Sequence, residues 1–154
     1  MEISAQLVKE LRDSSGAGMM DAKKALMACK GNMEEAVDWL RAKGLSKAAK
    51  KSDRVASDGL IGIYRDETGA VAVEINSETD FVAKNGDFQR MVSSITSAAI
   101  NAENVEDLLN KDINGSTVQD IITSHIATIG ENLSLRRMIK FSGKDIATYI
   151  HNSV

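Results

Sequence analysis

Residues 60–77 read LIGIYRDETGAVAVEINS, and the reading of this stretch decides the fold. Ile61 and Ile63, then Val71, Val73 and Ile75, recur at every second position, which is the period of a strand whose side chains alternate between two faces. The polar RDETG between the two runs carries a glycine and has no apolar residue to bury, so the runs predict a β-hairpin. A hairpin alone is marginal in water and needs a further strand or a helix across one face. The flanking sequence supplies both.

Downstream, Phe88, Met91, Val92 and Ile95 are spaced by three and four, predicting a helix that runs to about Ala102. Residues 103–115 form an acidic connection with a short helical piece around Val105 to Leu109. Ser116 is placed to cap another helix, bearing Ile121, Ile122, Ile126 and Ile129 and ended by Gly130. Then NLSLRRMIKF, residues 132–141, alternates again, with Leu133, Leu135, Ile139 and Phe141 assigned to one side of a third strand. Residues 60–142 are therefore expected to be an α+β subdomain, a three-stranded antiparallel sheet packed with helices.

Upstream the period is helical throughout. Ser4 caps a helix with Leu7, Val8 and Leu11 on one face. DAKKALMACKG puts Ala22, Ala25, Leu26 and Cys29 on one stripe and stops at Gly31. Asn32 caps a third helix in which Glu35 closes a capping box, Ala36, Val37 and Leu40 face inward, and Gly44 ends the element. Helices this short are stable only when packed together, so residues 1–44 predict a three-helix bundle. Residues 45–59, LSKAAKKSDRVASDG, lack a continuous apolar face and read as a solvated, basic, partly helical linker. At the far end DIATYIHNSV alternates, so residues 143–154 read as the opening strand of an incomplete second subdomain, in want of a continuation or a second subunit.

Composition narrows the function. The 154 residues are 43% hydrophobic and 27% charged, ordinary values for a globular chain, but only 4% aromatic. The net charge of −3 gives no global attraction to nucleic acid or an anionic membrane, and the basic excess is confined to the linker. Lys47, Lys50 and Lys51 lack interleaved aromatics, so they read as a solvated face. A single cysteine, Cys29, excludes an internal disulfide and a cysteine-based zinc motif, and it lies on an inward stripe. No apolar run approaches a membrane span, and acidic Glu2 stands where a signal peptide is basic, so the reading is cytoplasmic. His125 sits between Ile122 and Ile126 as a structural histidine, and His151 is three residues from the end. GAGMMD at 16–21 follows no strand and lacks a third glycine, so it is a tight interhelical turn and not a dinucleotide fingerprint. No base, nucleophile, metal site or cofactor site can be assembled.

Two features remain. Met19 and Met20 either dock a partner or anchor the bundle. Phe81, in SETDFVAKN at 77–85, follows four polar residues; it folds onto the sheet beside a capping Asp80, or stands out at a loop tip as a binding hot spot. Periodicity does not separate these readings.

Four stretches taken in order, VKELRDSSGAGMMDAKKAL, AAKKSDRVASDGLIGIY, VEINSETDFVAKN and IGENLSLRRM, closely resemble the bacterial-type elongation factor Ts family. The likeness runs from about Ile3 to His151, with residues 101–116 giving no match. It implies a ubiquitin-associated-like module in residues 1–44 that grips the G domain of elongation factor Tu, with Met19 and Met20 as contacts. It further implies that Thr79, Asp80, Phe81 and Val82 form a tip whose phenylalanine enters an apolar pocket of the G domain. There Asp80 and Phe81 would loosen the partner's magnesium and promote GDP release. The chain would then be a non-catalytic exchange factor without cofactor, nucleic acid or membrane partner. Longer members continue through a second half-sheet, a coiled-coil-like insertion and a C-terminal module, whereas a short type dimerises. The resemblance therefore suggests a truncated form, with a homodimer as the lesser expectation. A protein-binding adapter without exchange activity is the alternative function.

Overall fold

The computed structural model describes residues 3–151. Two compact units are formed, Met1–Asp53 with Thr123–Gly130, and Arg54–Ile122 with Glu131–Val154.

In the first unit, helix α1 (Ala5–Ser15) is capped by the Ser4 hydroxyl, which accepts from the Leu7 amide at 3.2 Å, and ends at Gly16 in the left-handed conformation. Helix α2 covers Met19–Ala28 and helix α3 Met33–Ala49. Val8, Leu11, Ala22, Ala25, Leu26 and Ala36 form the buried cluster, with Cys29, Trp39 and Leu40 packed against it. Asn32 caps α3 by accepting from the amides of Glu34 and Glu35. Glu35 closes the box through the side-chain amide of Asn32, at 2.9 Å, instead of its backbone N–H.

Two expectations fail here. Val37 is exposed, so the inward stripe of α3 is narrower than its sequence suggests. Helix α3 also does not end at Gly44 but continues into what reads as linker. Gly44 is buried, and a Cβ there would lie 3.8 Å from Ala127 and 3.9 Å from Thr123. It marks a close approach of two elements, and nothing in its backbone stops a helix. The added turn is held from α2: Lys43 and Lys47 donate to the two oxygens of Asp21 at 2.7 and 2.8 Å.

Those two ammonium hydrogen bonds, Lys43 first, hold the Asp21 carboxyl down to about 2. A carboxyl depressed in the folded state contributes stability that is full above its unfolded pKa of about 4 and is lost as pH falls through about 2. All three side chains are about a third exposed, so water screens the pair and the contribution is about 1 kcal/mol. Thermal unfolding of the wild type and Asp21→Asn should differ at pH 6 and converge towards pH 2. A gap that persists at pH 2 would refute the latch.

In the second unit β1 (Asp58–Arg65) and β2 (Gly69–Ser77) form the expected hairpin, paired from Asp58 opposite Ser77 to Arg65 opposite Ala70. Asp66 closes the turn by accepting from the Thr68 and Gly69 amides. Strand β5 (Ser134–Ser142) pairs antiparallel with β2, giving the order β1-β2-β5. Helix α5 (Gly86–Ala99), capped by Asn85, lies against β1 and β2 and buries Phe88, Met91, Val92 and Ile95. Val71, Val73 and Ile75 face it. A Cβ on Gly62 would come within 2.0 Å of the Thr96 hydroxyl, so the close packing of α5 on the sheet at that point requires a glycine.

The single face assigned to β5 is wrong. Ile75 pairs with Leu135 but Glu74 pairs with Arg137, leaving Arg136 as an extra residue, a β-bulge. Leu133 and Leu135 are buried; beyond the bulge the parity reverses, Met138 falls opposite Val73, and Ile139 and Phe141 stand on the other face, both more than half exposed. Ile61 lies on that outer face too, opposite Glu74, and Ile63 opposite Ala72. Arg136 and Arg137 both reach Glu74, and the Arg137 hydrogen bond, followed by that of Asn76, lowers its carboxyl pKa.

Helix α4 (Asp80–Ala83) is a single turn, and α6 (Val105–Leu109) matches the helical piece expected in the acidic connection. Two-residue strands β3 (Asp112–Ile113) and β4 (Ser116–Thr117) pair before α7 (Val118–Ile129). Ser116 is thus in a strand, and the cap is Thr117, whose hydroxyl accepts from the Asp120 amide at 3.1 Å. Residues 143–151 form no strand. Gly143 leaves β5 with φ +141°, and the Ile146 carbonyl is taken by the Arg65 guanidinium instead of a neighbouring backbone. The remainder of that expectation, residues 152–154, lies outside the described residues. Among the described residues no helix is long and apolar enough to cross a membrane.

Candidate functional site

The segment between β2 and α5 is built to hold a short tip. At the end of β2, Ser77 is fully buried and its hydroxyl donates to the Thr79 carbonyl at 2.9 Å. The chain then turns into α4, four residues long and too short to persist on helix propensity alone. Val82 and Ala83 anchor it by burial. Phe81 points the other way and is 78% exposed. Leaving such a ring in water forgoes roughly 1.5–3 kcal/mol of burial free energy.

Sequence periodicity left two readings of Phe81, and the geometry divides them between neighbours. Val82 is the residue that folds inward, so its side chain supports the tip and is not presented beside Phe81. Asp80 is the first residue of α4 and not its cap; it is exposed and pairs with Lys84 at 3.0 Å, one helical turn on. Thr79 occupies the cap position but makes no side-chain cap, because its hydroxyl donates elsewhere.

That acceptor is Glu131. One of its oxygens accepts from the amides of Glu78 and Thr79 at 3.0 and 3.1 Å, and the other from the Thr79 hydroxyl at 2.6 Å. Glu78 answers by accepting from the Asn132 amide at 2.7 Å and lies 3.5 Å from Arg54, whose carbonyl accepts from the Asn132 side chain at 2.8 Å. None of these supporting residues belongs to an apolar stripe, which is why periodicity passes over them. The signal in the sequence is that Arg54, Glu78 and Glu131 with Asn132 fall inside AAKKSDRVASDGLIGIY, VEINSETDFVAKN and IGENLSLRRM.

Met19 and Met20, in the first unit, are 50% and 63% exposed, so they do not anchor the bundle. Cys29 is half-buried against the helical core, and His125 is half-buried on α7. Among the described residues no three His, Cys, Asp or Glu side chains are grouped to hold a metal ion.

The profile of the family described as "Elongation factor TS" matches residues 78–154, beginning at the clamp that carries the tip. The chain belongs to this family. Among curated relatives, the "Elongation factor Ts" of Ruegeria pomeroyi is 60% identical over 153 residues, 99% of this chain and 53% of the relative. That of Dinoroseobacter shibae is 59% identical with the same coverage, and that of Cereibacter sphaeroides 58% identical, with 51% of the relative covered. The chain thus spans about half the length of the relatives it matches. The four motifs that carried the resemblance in the sequence point to this same family.

Proposed function

We propose that the chain acts in the cytoplasm as a guanine-nucleotide exchange factor. In this reading it binds elongation factor Tu·GDP, enters the G domain with Phe81, and disturbs the partner's magnesium and phosphate site so that GDP leaves. The observation that carries this is the pairing of an exposed phenylalanine with a tip held by the Glu131 hydrogen bonds and by the burial of Val82 and Ala83, in a chain with few aromatics. A ring kept in water on a rigid support gives up burial energy in the free protein and recovers it only in a complex. Met19 and Met20, exposed on α2, would be further contacts from the three-helix module.

The proposed role is non-catalytic, because exchange requires differential binding and no covalent step. If the chain binds nucleotide-free Tu more tightly than Tu·GDP by some factor, GDP affinity must fall by that same factor when the chain is bound. Each tenfold corresponds to about 1.4 kcal/mol, so one buried phenylalanine supplies one to two decades. Titration calorimetry of the chain against nucleotide-free Tu and Tu·GDP, with GDP titrated into Tu and into the complex, should return matching ratios well above one. Binding with a ratio of one would leave the adapter function; no binding in either state would remove both.

A further inference from the structure

The exchange reading assigns the tip itself but says nothing of what directs it. We propose that Glu131 is the positioning residue of the Phe81 tip, with Glu78 as its reciprocal partner. This rests on the reading of Phe81 as the exchange wedge.

The argument begins with the backbone donors. Past Ser77, the amides of Glu78 and Thr79 have left the β-ladder and precede the turns of α4, so neither has a secondary-structure partner. Both donate to one oxygen of Glu131, and the Thr79 hydroxyl donates to the other. Hydrogen bonds to an ionised acceptor are about twice as strong as neutral ones, and three of them converge on one side chain. The Thr79 hydroxyl, which would ordinarily cap its own helix, is turned instead to the α7–β5 connection. The direction of α4 is therefore set by a neighbouring segment.

The second half of the clamp removes the remaining freedom. Glu78 accepts from the Asn132 amide, so each connection donates its backbone to the other's carboxylate. Two like charges this near would repel, yet Glu131 faces three donors, and Glu78 faces one amide and the Arg54 guanidinium. Asn132 also donates to the Arg54 carbonyl, joining the start of the unit to the same knot. Phe81 lies two residues beyond Thr79, so a fixed Thr79 fixes where the ring is held. Ordering the tip before binding spares the entropy that a loose loop would lose on docking.

The test combines two independent readouts on the full chain. Backbone amide exchange is measured at Glu78 and Thr79, and fluorescent GDP release from elongation factor Tu is followed for Glu131→Ala, Glu131→Gln and Glu131→Asp, each with and without Phe81→Ala. Glu131→Ala should lose protection at both amides and about tenfold of the release acceleration, since freeing even one backbone residue is of that order. It should have no further effect once Phe81 is absent, which a merely structural role would not produce. Glu131→Gln should keep most of both readouts, because its carbonyl still accepts the two amides while Thr79 turns to accept from its NH2. Should Glu131→Ala fail to fold, Glu131→Asp, with its charge intact and its reach shortened, is expected to lose the same protections.

Amides unprotected in the wild type, or still protected in both Glu131→Ala and Glu131→Asp, would overturn the clamp. So would an equal loss of acceleration with and without Phe81, or full acceleration by Glu131→Ala where Phe81→Ala has none. If wild type and Phe81→Ala release GDP alike, the exchange reading falls, and the amide readout still decides the clamp.

Discussion

Phe81→Ala should slow GDP release from elongation factor Tu, relative to the wild-type chain, by one to two decades while leaving the thermal stability of the chain nearly unchanged. The two halves of that result come from one fact, the 78% exposure of the ring. Truncating an exposed side chain costs the folded state little, within about 0.5 kcal/mol. If the ring is buried in the complex, the same truncation removes about 1.5–3 kcal/mol of differential binding. Stopped-flow release of fluorescent GDP and a melting curve, taken on the same preparations, check both halves. Unchanged release would refute the wedge, and a melting temperature lowered as for a core residue would mean that Phe81 packs inward in solution.

Phe88→Ala, seven positions on, should do the opposite. Phe88 is fully buried between α5 and the sheet, and its truncation should cost about 3–5 kcal/mol of stability through lost transfer energy and a residual cavity. Against a total of about 5–15 kcal/mol for an ordinary domain, that is enough to leave the second unit marginal. Denaturant unfolding should show a much lower midpoint with little change in slope. A cost below about 1 kcal/mol would contradict the packing of α5 on β1 and β2.

The contrast between two phenylalanines shows what could be read from sequence and what could not. Phe88 belongs to a stripe with Met91, Val92 and Ile95, so its burial was legible from spacing alone. Phe81 belongs to no stripe, and its exposure depends on Val82 and Ala83 having taken the inward side of a single turn. The hairpin and the helices were legible for the same reason as Phe88: each repeats a period over many residues. Gly44 was misread because a glycine that ends a helix and one that lets another element approach look alike until the neighbour is present. The support of the tip was invisible to periodicity because Glu131 acts on backbone amides more than fifty residues away, and only the family motifs held a trace of it.

The bulge at Arg136 puts β5 into two reading frames. Up to Leu135 the odd-numbered residues, Leu133 and Leu135, are the buried ones; from Met138 onward the even-numbered ones fall opposite Val73 and Val71. A substitution in β5 alters one position, whereas the loss of Arg136 alone would close the bulge and leave Arg137 opposite Glu74 and Met138 opposite Val73 in unbroken alternation. Ile139 and Phe141 would keep the outer face, and Met138 and Lys140 would stay opposite Val73 and Val71. The strand can therefore lose its extra residue without exchanging its two faces, and what the bulge adds is a second arginine within reach of Glu74.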